Sequence, residues 1–180
     1  MSFLSTSESR GTNWQAALYK LLRQNGVTQF AYVPDAGHRV LIDHALDDRS
    51  AHAIALTTEE EGVALLAGAH LGGARGVLLL QSSGLGNCVN MLSLIKSGGF
   101  PVLMLVSMRG EFGETNPWQC PMGRAVEPVL RAFDIVCLRA DCPDDVVPTV
   151  AAALGMVEQS GLAVAVLLTQ RLIGAKPFSY

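Results

Sequence analysis

The sequence predicts an α/β fold: a doubly wound, six-stranded, mainly parallel sheet with helices on both faces. Three observations carry this. The apolar runs Val77 to Leu80, Val102 to Val106 and Leu162 to Leu168 are continuous, as in strands buried on both faces, where a half-exposed strand would alternate. Segments of helical spacing separate such runs along the chain. At 180 residues the chain fits a single domain, long enough to bury a core without disulfide or metal support.

The elements follow in order. Thr12 can cap a first helix carrying Trp14, Ala17, Leu18, Leu21 and Leu22 at helical spacing, and Asn25-Gly26 supplies its stop. A strand from Val27 to Val33 ends at Pro34, and a helix near Val40 to Leu46 leads to a strand from Ala51 to Leu56. A helix from Glu60 to Leu71 and a strand from Gly76 to Gln81 come next, then a helix near Asn87 to Lys96. Strand Val102 to Ser107 opens into a long loop from Met108 to about Pro121. Helix Gly123 to Phe133, strand Ile135 to Arg139, helix Asp144 to Gln159 and strand Ala163 to Thr169 complete the alternation. No repeat, low-complexity stretch or linker breaks the chain before the end after Gln170, where Pro177 and small residues suggest a surface-lying tail.

Composition narrows the function. The net charge of -3 and scattered arginines offer no basic stripe for nucleic acid. No apolar run reaches the roughly 18 residues that cross a bilayer, and Met1 to Arg10 lacks the basic and apolar regions of an export signal. Cys88, Cys120, Cys137 and Cys142 form no C-x-x-C pair, so reduced thiols in the cytoplasm are expected and a structural zinc is not. Charged residues make up 16% of the chain, against about 25% in an ordinary soluble domain. Another chain is expected to cover part of the surface.

In doubly wound sheets ligands gather at the carboxyl ends of the strands. Those positions carry Val33-Pro34-Asp35-Ala36-Gly37-His38, then Thr57-Thr58-Glu59-Glu60-Glu61, then Gln81-Ser82-Ser83-Gly84-Leu85-Gly86-Asn87, then Met108-Arg109-Gly110-Glu111. Acids in a first helical turn are favoured by the helix dipole and need no further role. The dipole does not account for the small, apolar run from Gly62 to Ala69 behind them. A carboxylate on the rim of so apolar a helix is partly withdrawn from water and suited to proton exchange, which singles out Glu59. Gly84-Leu85-Gly86-Asn87 fits either a phosphate cradle at a helix start or a tight turn with close packing. Arg109 either receives an anionic ligand through its paired donors or forms a salt bridge to Glu111 or Glu114. His70 is expected in a core or interface, and Asp43, His44 and Asp47 to Arg49 on a solvated helix end.

Taken in order, V-P-D, T-E-E-E-G-V-A-L-L-A-G-A-H-L, Q-S-S-G-L-G-N and M-R-G-E-F-G resemble the thiamine diphosphate-dependent sulfopyruvate and phosphonopyruvate decarboxylases. The resemblance runs from about Gly26 to Ala132 and is closest to the separate alpha subunit of sulfopyruvate decarboxylase, including Gln119-Cys120-Pro121-Met122-Gly123. It implies a pyrimidine-binding domain in which Glu59 bonds N1' of the cofactor's aminopyrimidine. The proton they share assists removal of the thiazolium C2 proton, and the cofactor then absorbs the charge left by decarboxylation. The residues expected around the cofactor are Pro34, Asp35, Glu59, Ser83, Gly84, Gly86 and Asn87, and those expected near the substrate are Arg109, Gln119 and Arg124. The chain has no Gly-Asp or Asn-Asn dipeptide, the marks of the family's diphosphate-binding half. The resemblance therefore implies a beta subunit that holds the diphosphate and Mg2+, in an assembly of two alpha and two beta chains or a multiple. Gln-Ser-Ser and Ala36-Gly37-His38 depart from the family's usual residues, which leaves sulfopyruvate and phosphonopyruvate both open as substrates. Another thiamine diphosphate lyase or carboligase is a further enzyme reading, because the reactive form of the cofactor is common to all of them, and a noncatalytic α/β binding subunit is the alternative of another class.

Overall fold

The computed structural model describes residues 14–175; the expected Thr12 cap, the first ten residues and the Pro177 tail lie outside them. The elements are α1 (Trp14–Gln24), β1 (Val27–Tyr32), α2 (Arg39–Asp47), β2 (His52–Ala55), α3 (Glu59–Leu71) and β3 (Arg75–Gln81). They continue with α4 (Ser82–Cys88), α5 (Leu92–Gly98), β4 (Leu103–Ser107), α6 (Gln119–Ala132), β5 (Val136–Ala140), α7 (Pro143–Ser160), β6 (Val164–Leu168) and α8 (Gln170–Ile173). The six strands lie in the order β2-β1-β3-β4-β6-β5, and every pairing is parallel, so the expected "mainly parallel" sheet is parallel throughout.

Successive strand residues face opposite sides, which gives two cores. On one side Phe30, Val77, Leu79, Leu105 and Val166 pack under α1, α2 and α7 through Leu18, Leu22, Leu41, Val150 and Leu154. On the other, Leu78, Leu80, Met104, Val106 and Leu167 meet Val63 and Leu66 of α3, Leu85 of α4, Leu92 and Ile95 of α5, and Val126 and Leu130 of α6. Strands buried on both faces explain the unbroken apolar runs of the sequence. The chain passes from β1 to β2 on one side and returns to β3 on the other, so the crevice between the ends of β1 and β3 is the topological switch point.

Three local expectations are corrected. The helix expected near Asn87 to Lys96 is two helices: α4 starts directly at Ser82, and α5 begins only at Leu92 after a break over 89–91. The Gly84 to Asn87 segment therefore lies inside α4 and is neither a turn nor a helix start. The loop after β4 is shorter than expected, because α6 starts at Gln119. Asp48, expected on a solvated helix end, accepts hydrogen bonds from Tyr19 Oη and Arg23 Nε at 2.8 and 2.9 Å, tying α2 to α1. The Ser50 hydroxyl, followed by Tyr19, the Ser50 amide and Arg23, holds its carboxyl well below the usual range.

Candidate active site

Glu59 is the first residue of α3, with Thr58 at the N-cap in extended backbone. The dipole accounts for an acid there; the packing accounts for its burial, since Glu59 is only 8% exposed. Its side chain lies across Gly84 of α4. A Cβ at Gly84 would fall 2.1 Å from Glu59 Oε1, so only glycine allows the two helices to hold the carboxylate between them. One turn further along α4, Asn87 donates from Nδ2 to Glu59 Oε2 at 2.8 Å. Oε1 accepts no hydrogen bond from the described residues.

This carboxylate forms one wall of a cavity of about 830 Å3, together with Ser83, Gly84, Gly86 and Asn87. The facing wall comes from the loop before α6 and its first turn: Asn116, Pro117, Trp118, Pro121 and Met122. The walls are largely apolar, and Trp118 is 82% exposed at their rim. In the sequence Pro121 and Met122 stand out only within a resembling segment, and Asn116, Pro117 and Trp118 do not stand out at all, since nothing in a loop of mixed residues shows which face it turns to a cavity.

Of the residues expected around the cofactor, the structure brings Glu59, Ser83, Gly84, Gly86 and Asn87 together and leaves Pro34 and Asp35 outside the cavity's lining. Asp35 instead ties three strand ends at the switch point. Its Oδ2 accepts from Ser107 Oγ at 2.6 Å and the Gly37 amide at 3.0 Å, and its Oδ1 accepts from Gln81 Nε2 at 3.2 Å. Burial acts to raise this carboxyl's pKa, but the Ser107 bond, the neighbouring His38, Gln81 and the Gly37 amide together lower it. His38 is 1% exposed with Nε2 3.2 Å from Leu80 O, and burial pushes its pKa down despite Asp35.

The residues expected near the substrate also lie outside that lining. Arg109 forms a two-bond salt bridge with Glu114, Nε to Oε2 at 2.7 Å and Nη2 to Oε1 at 2.9 Å, which settles the partner between Glu111 and Glu114. Glu114 also accepts from the Gly110 and Asn116 amides and from Gln170 Nε2, at 3.2, 2.9 and 2.9 Å, so one carboxylate orders the whole loop after β4. Its pKa falls to about 2, first because of Arg109. Glu111 pairs instead with Arg139 at 2.7 Å. Arg124 opens on a separate cavity of about 510 Å3 with Arg131 and Arg139. Gln119 stands at the start of α6, its Oε1 buried without a hydrogen-bond partner among the described residues. The loop meets α6 very closely: a Cβ at Gly123 would lie 2.1 Å from Arg109 O, so the M-R-G and Q-C-P-M-G segments fit together only through glycine. Among the described residues no group of three His, Cys, Asp or Glu converges as metal ligands, and no helix is long and apolar enough to cross a membrane. His70 is exposed at the end of α3, its ring 6.1 Å from that of Phe100.

The fold defines the class first. The chain superimposes on a thiamine diphosphate-dependent 4-hydroxybenzoylformate decarboxylase of Rhodococcus jostii with a TM-score of 0.70 at 17% identity, over 91% of this chain and 32% of that one. A 2-oxoglutarate:ferredoxin oxidoreductase of Magnetococcus marinus gives a TM-score of 0.71 at 16% identity, over 89% of this chain and 29% of that one. The chain thus spans about a third of these solved structures and shares the α/β fold of that part of them. No family model matches it. The curated relatives are nearer. A sulfopyruvate decarboxylase subunit alpha of Methanococcus maripaludis is 36% identical over 134 residues, 74% of this chain and 80% of the relative. That of Methanothermobacter thermautotrophicus is 35% identical over 153 residues, 84% and 93% of the two chains. A phosphonopyruvate decarboxylase of Streptomyces viridochromogenes is 32% identical over 86% of this chain but 40% of its own length. The chain belongs to the sulfopyruvate decarboxylase alpha subunit family.

Proposed function

We propose that the chain is the alpha subunit of a thiamine diphosphate-dependent decarboxylase of a small anionic 2-oxo acid, with sulfopyruvate converted to sulfoacetaldehyde and carbon dioxide. The observation that carries the proposal is Glu59: a carboxylate almost removed from water, fixed by Asn87 and Gly84 on the wall of a large, mostly apolar cavity. That arrangement fits an aminopyrimidine, a flat ring that needs apolar walls and one carboxylate at its edge. When bound, the cofactor supplies the electron sink that accepts the charge released with carbon dioxide. Glu59 holds or gives up a proton at Oε1. The apolar wall of Pro117, Trp118, Pro121 and Met122 would exclude water once the open rim is covered, which strengthens every polar interaction inside. Ser83, Gly84, Gly86 and Asn87 form the side against which the ring would lie.

A beta chain is proposed to hold the diphosphate and Mg2+ and to complete the site against the open rim at Trp118. Of the residues assigned to the substrate, Gln119 adjoins the cavity wall in sequence; Arg109 and Arg124 would meet the anion only in a site that the beta chain reshapes. Free Cys88, Cys120, Cys137 and Cys142 agree with a reducing, cytoplasmic setting. Phosphonopyruvate is the second substrate to consider, because a phosphonopyruvate decarboxylase is among the relatives.

The test is carbon dioxide release from sulfopyruvate and phosphonopyruvate by this chain copurified with its beta chain, with thiamine diphosphate and Mg2+. Glu59→Gln is expected to lower turnover by about 100-fold or more while the two chains still assemble. Unchanged turnover would remove Glu59 from the chemistry, and a complex that binds cofactor yet releases nothing from either acid would send the search to other 2-oxo acids or to carboligation.

A further inference from the structure

We infer that Asn87 is a positioning residue that decides which oxygen of Glu59 carries the proton. This rests on the reading of Glu59 given above, and it concerns the carboxyl's geometry rather than the identity of the substrate. Asn87 offers an N–H to Oε2 at 2.8 Å. The N–H draws electron density from Oε2 and fills one of its lone-pair positions, so a proton on Glu59 is favoured on Oε1.

The surroundings leave the carboxyl no other arrangement. Gly84 lies directly beneath it, with space for hydrogen only, so the group cannot swing toward α4. Glu60 and Glu61 extend the same helical turn, and Glu61 is drawn away to the Thr57 amide at 2.8 Å. Cys88, next to Asn87, is the remaining titratable neighbour on α4, and burial pushes its thiol up to about 12, so it stays neutral beside Glu59. Among the described residues Asn87 thus gives Glu59 its one hydrogen-bond donor, and Oε1 is the oxygen left for a ligand in the cavity.

The experiment exchanges the donor for an acceptor. Asn87→Asp keeps the shape and places two carboxyls within hydrogen-bond distance, so one of them retains a proton and its pKa rises. The folded chain then binds more protons than the unfolded one, and stability falls as pH rises from the ordinary carboxyl range through the raised value. Full-length Asn87→Asp is expected to match the unaltered chain in Tm below about pH 4 and to lie roughly 5 °C lower at about pH 7. The double variant Glu59→Gln, Asn87→Asp restores the bond with its polarity reversed and is expected to recover most of that Tm without recovering turnover. In the complex with the beta chain, Asn87→Ala is expected to lower kcat by about 10- to 100-fold with little change in KM, and Asn87→Asp to raise the acid limb of the pH profile by about one unit. A Tm for Asn87→Asp that follows the unaltered chain across pH, or no recovery in the double variant, would overturn the inference. If the unaltered complex releases no carbon dioxide, the decarboxylase reading fails while the Tm measurements still decide the role of Asn87.

Discussion

Arg109 shows how far single residues were legible. Its position after a buried strand marked it for an important contact, but a guanidinium suits a ligand anion and a protein carboxylate equally well. What decides is the fold of the following loop, which turns Glu114 back onto Arg109 with 2% of the carboxylate side chain exposed. Nothing in the spacing of the two acids indicated that Glu111 would go to Arg139 instead. The pair makes a definite pH prediction. The carboxyl of Glu114 is depressed from an ordinary 4.5 to about 2, so its contribution to stability is complete above about pH 4.5 and is lost as pH falls toward about 2. Acid titration of Tm should show this loss in the unaltered chain and a smaller one in Glu114→Gln. Glu114→Ala, which leaves a mostly buried guanidinium unpaired, should cost about 3 kcal/mol in denaturant unfolding at neutral pH.

At the scale of elements, the alternation of strands and helices was plain because it depends on runs of apolar residues. The junctions were less so. Strand β3 enters α4 with no loop, and a glycine-rich segment that sequence rules read as a turn is helical, its glycines set against neighbouring side chains rather than serving special backbone angles. Gly84 makes room for Glu59, and Gly86 lies against Met122 of α6, where a Cβ would meet Sδ at 3.3 Å. The same packing explains why Glu59 could be singled out from the sequence while its partner Asn87 could be named only by resemblance: their hydrogen bond crosses from α3 to α4. Gly84→Ala therefore gives an element-level prediction. Alanine suits a helix better than glycine by about 1 kcal/mol, yet here it must displace the carboxylate. Far-ultraviolet circular dichroism should keep its helical signal, while turnover of the complex should fall about as far as in Glu59→Gln. Full turnover in Gly84→Ala would show that the carboxylate tolerates displacement.

For the whole molecule, two cores share one sheet, and the reading of the chain as a single domain can be tested through that sharing. Phe30 and Leu85 are fully buried on opposite faces, the first under α1 and α2, the second within α4. Neither core can persist alone, because each is closed on one side by the same six strands; loss of packing on one face removes the support of the other. Phe30→Ala should cost about 3 to 5 kcal/mol and Leu85→Ala about 2 to 5, which for a chain of this size is a fall in Tm of very roughly 4 to 20 °C. Calorimetry at one fixed protein concentration should show each substitution moving a single transition, with fluorescence and circular dichroism coincident. If Leu85→Ala instead produced an early partial transition with the Phe30 side intact, the helices α3 to α6 would form a separate unit. The site would then rest on a part of the molecule able to rearrange by itself, and the contact between Glu59 and Asn87 would have to be held in place by a partner chain.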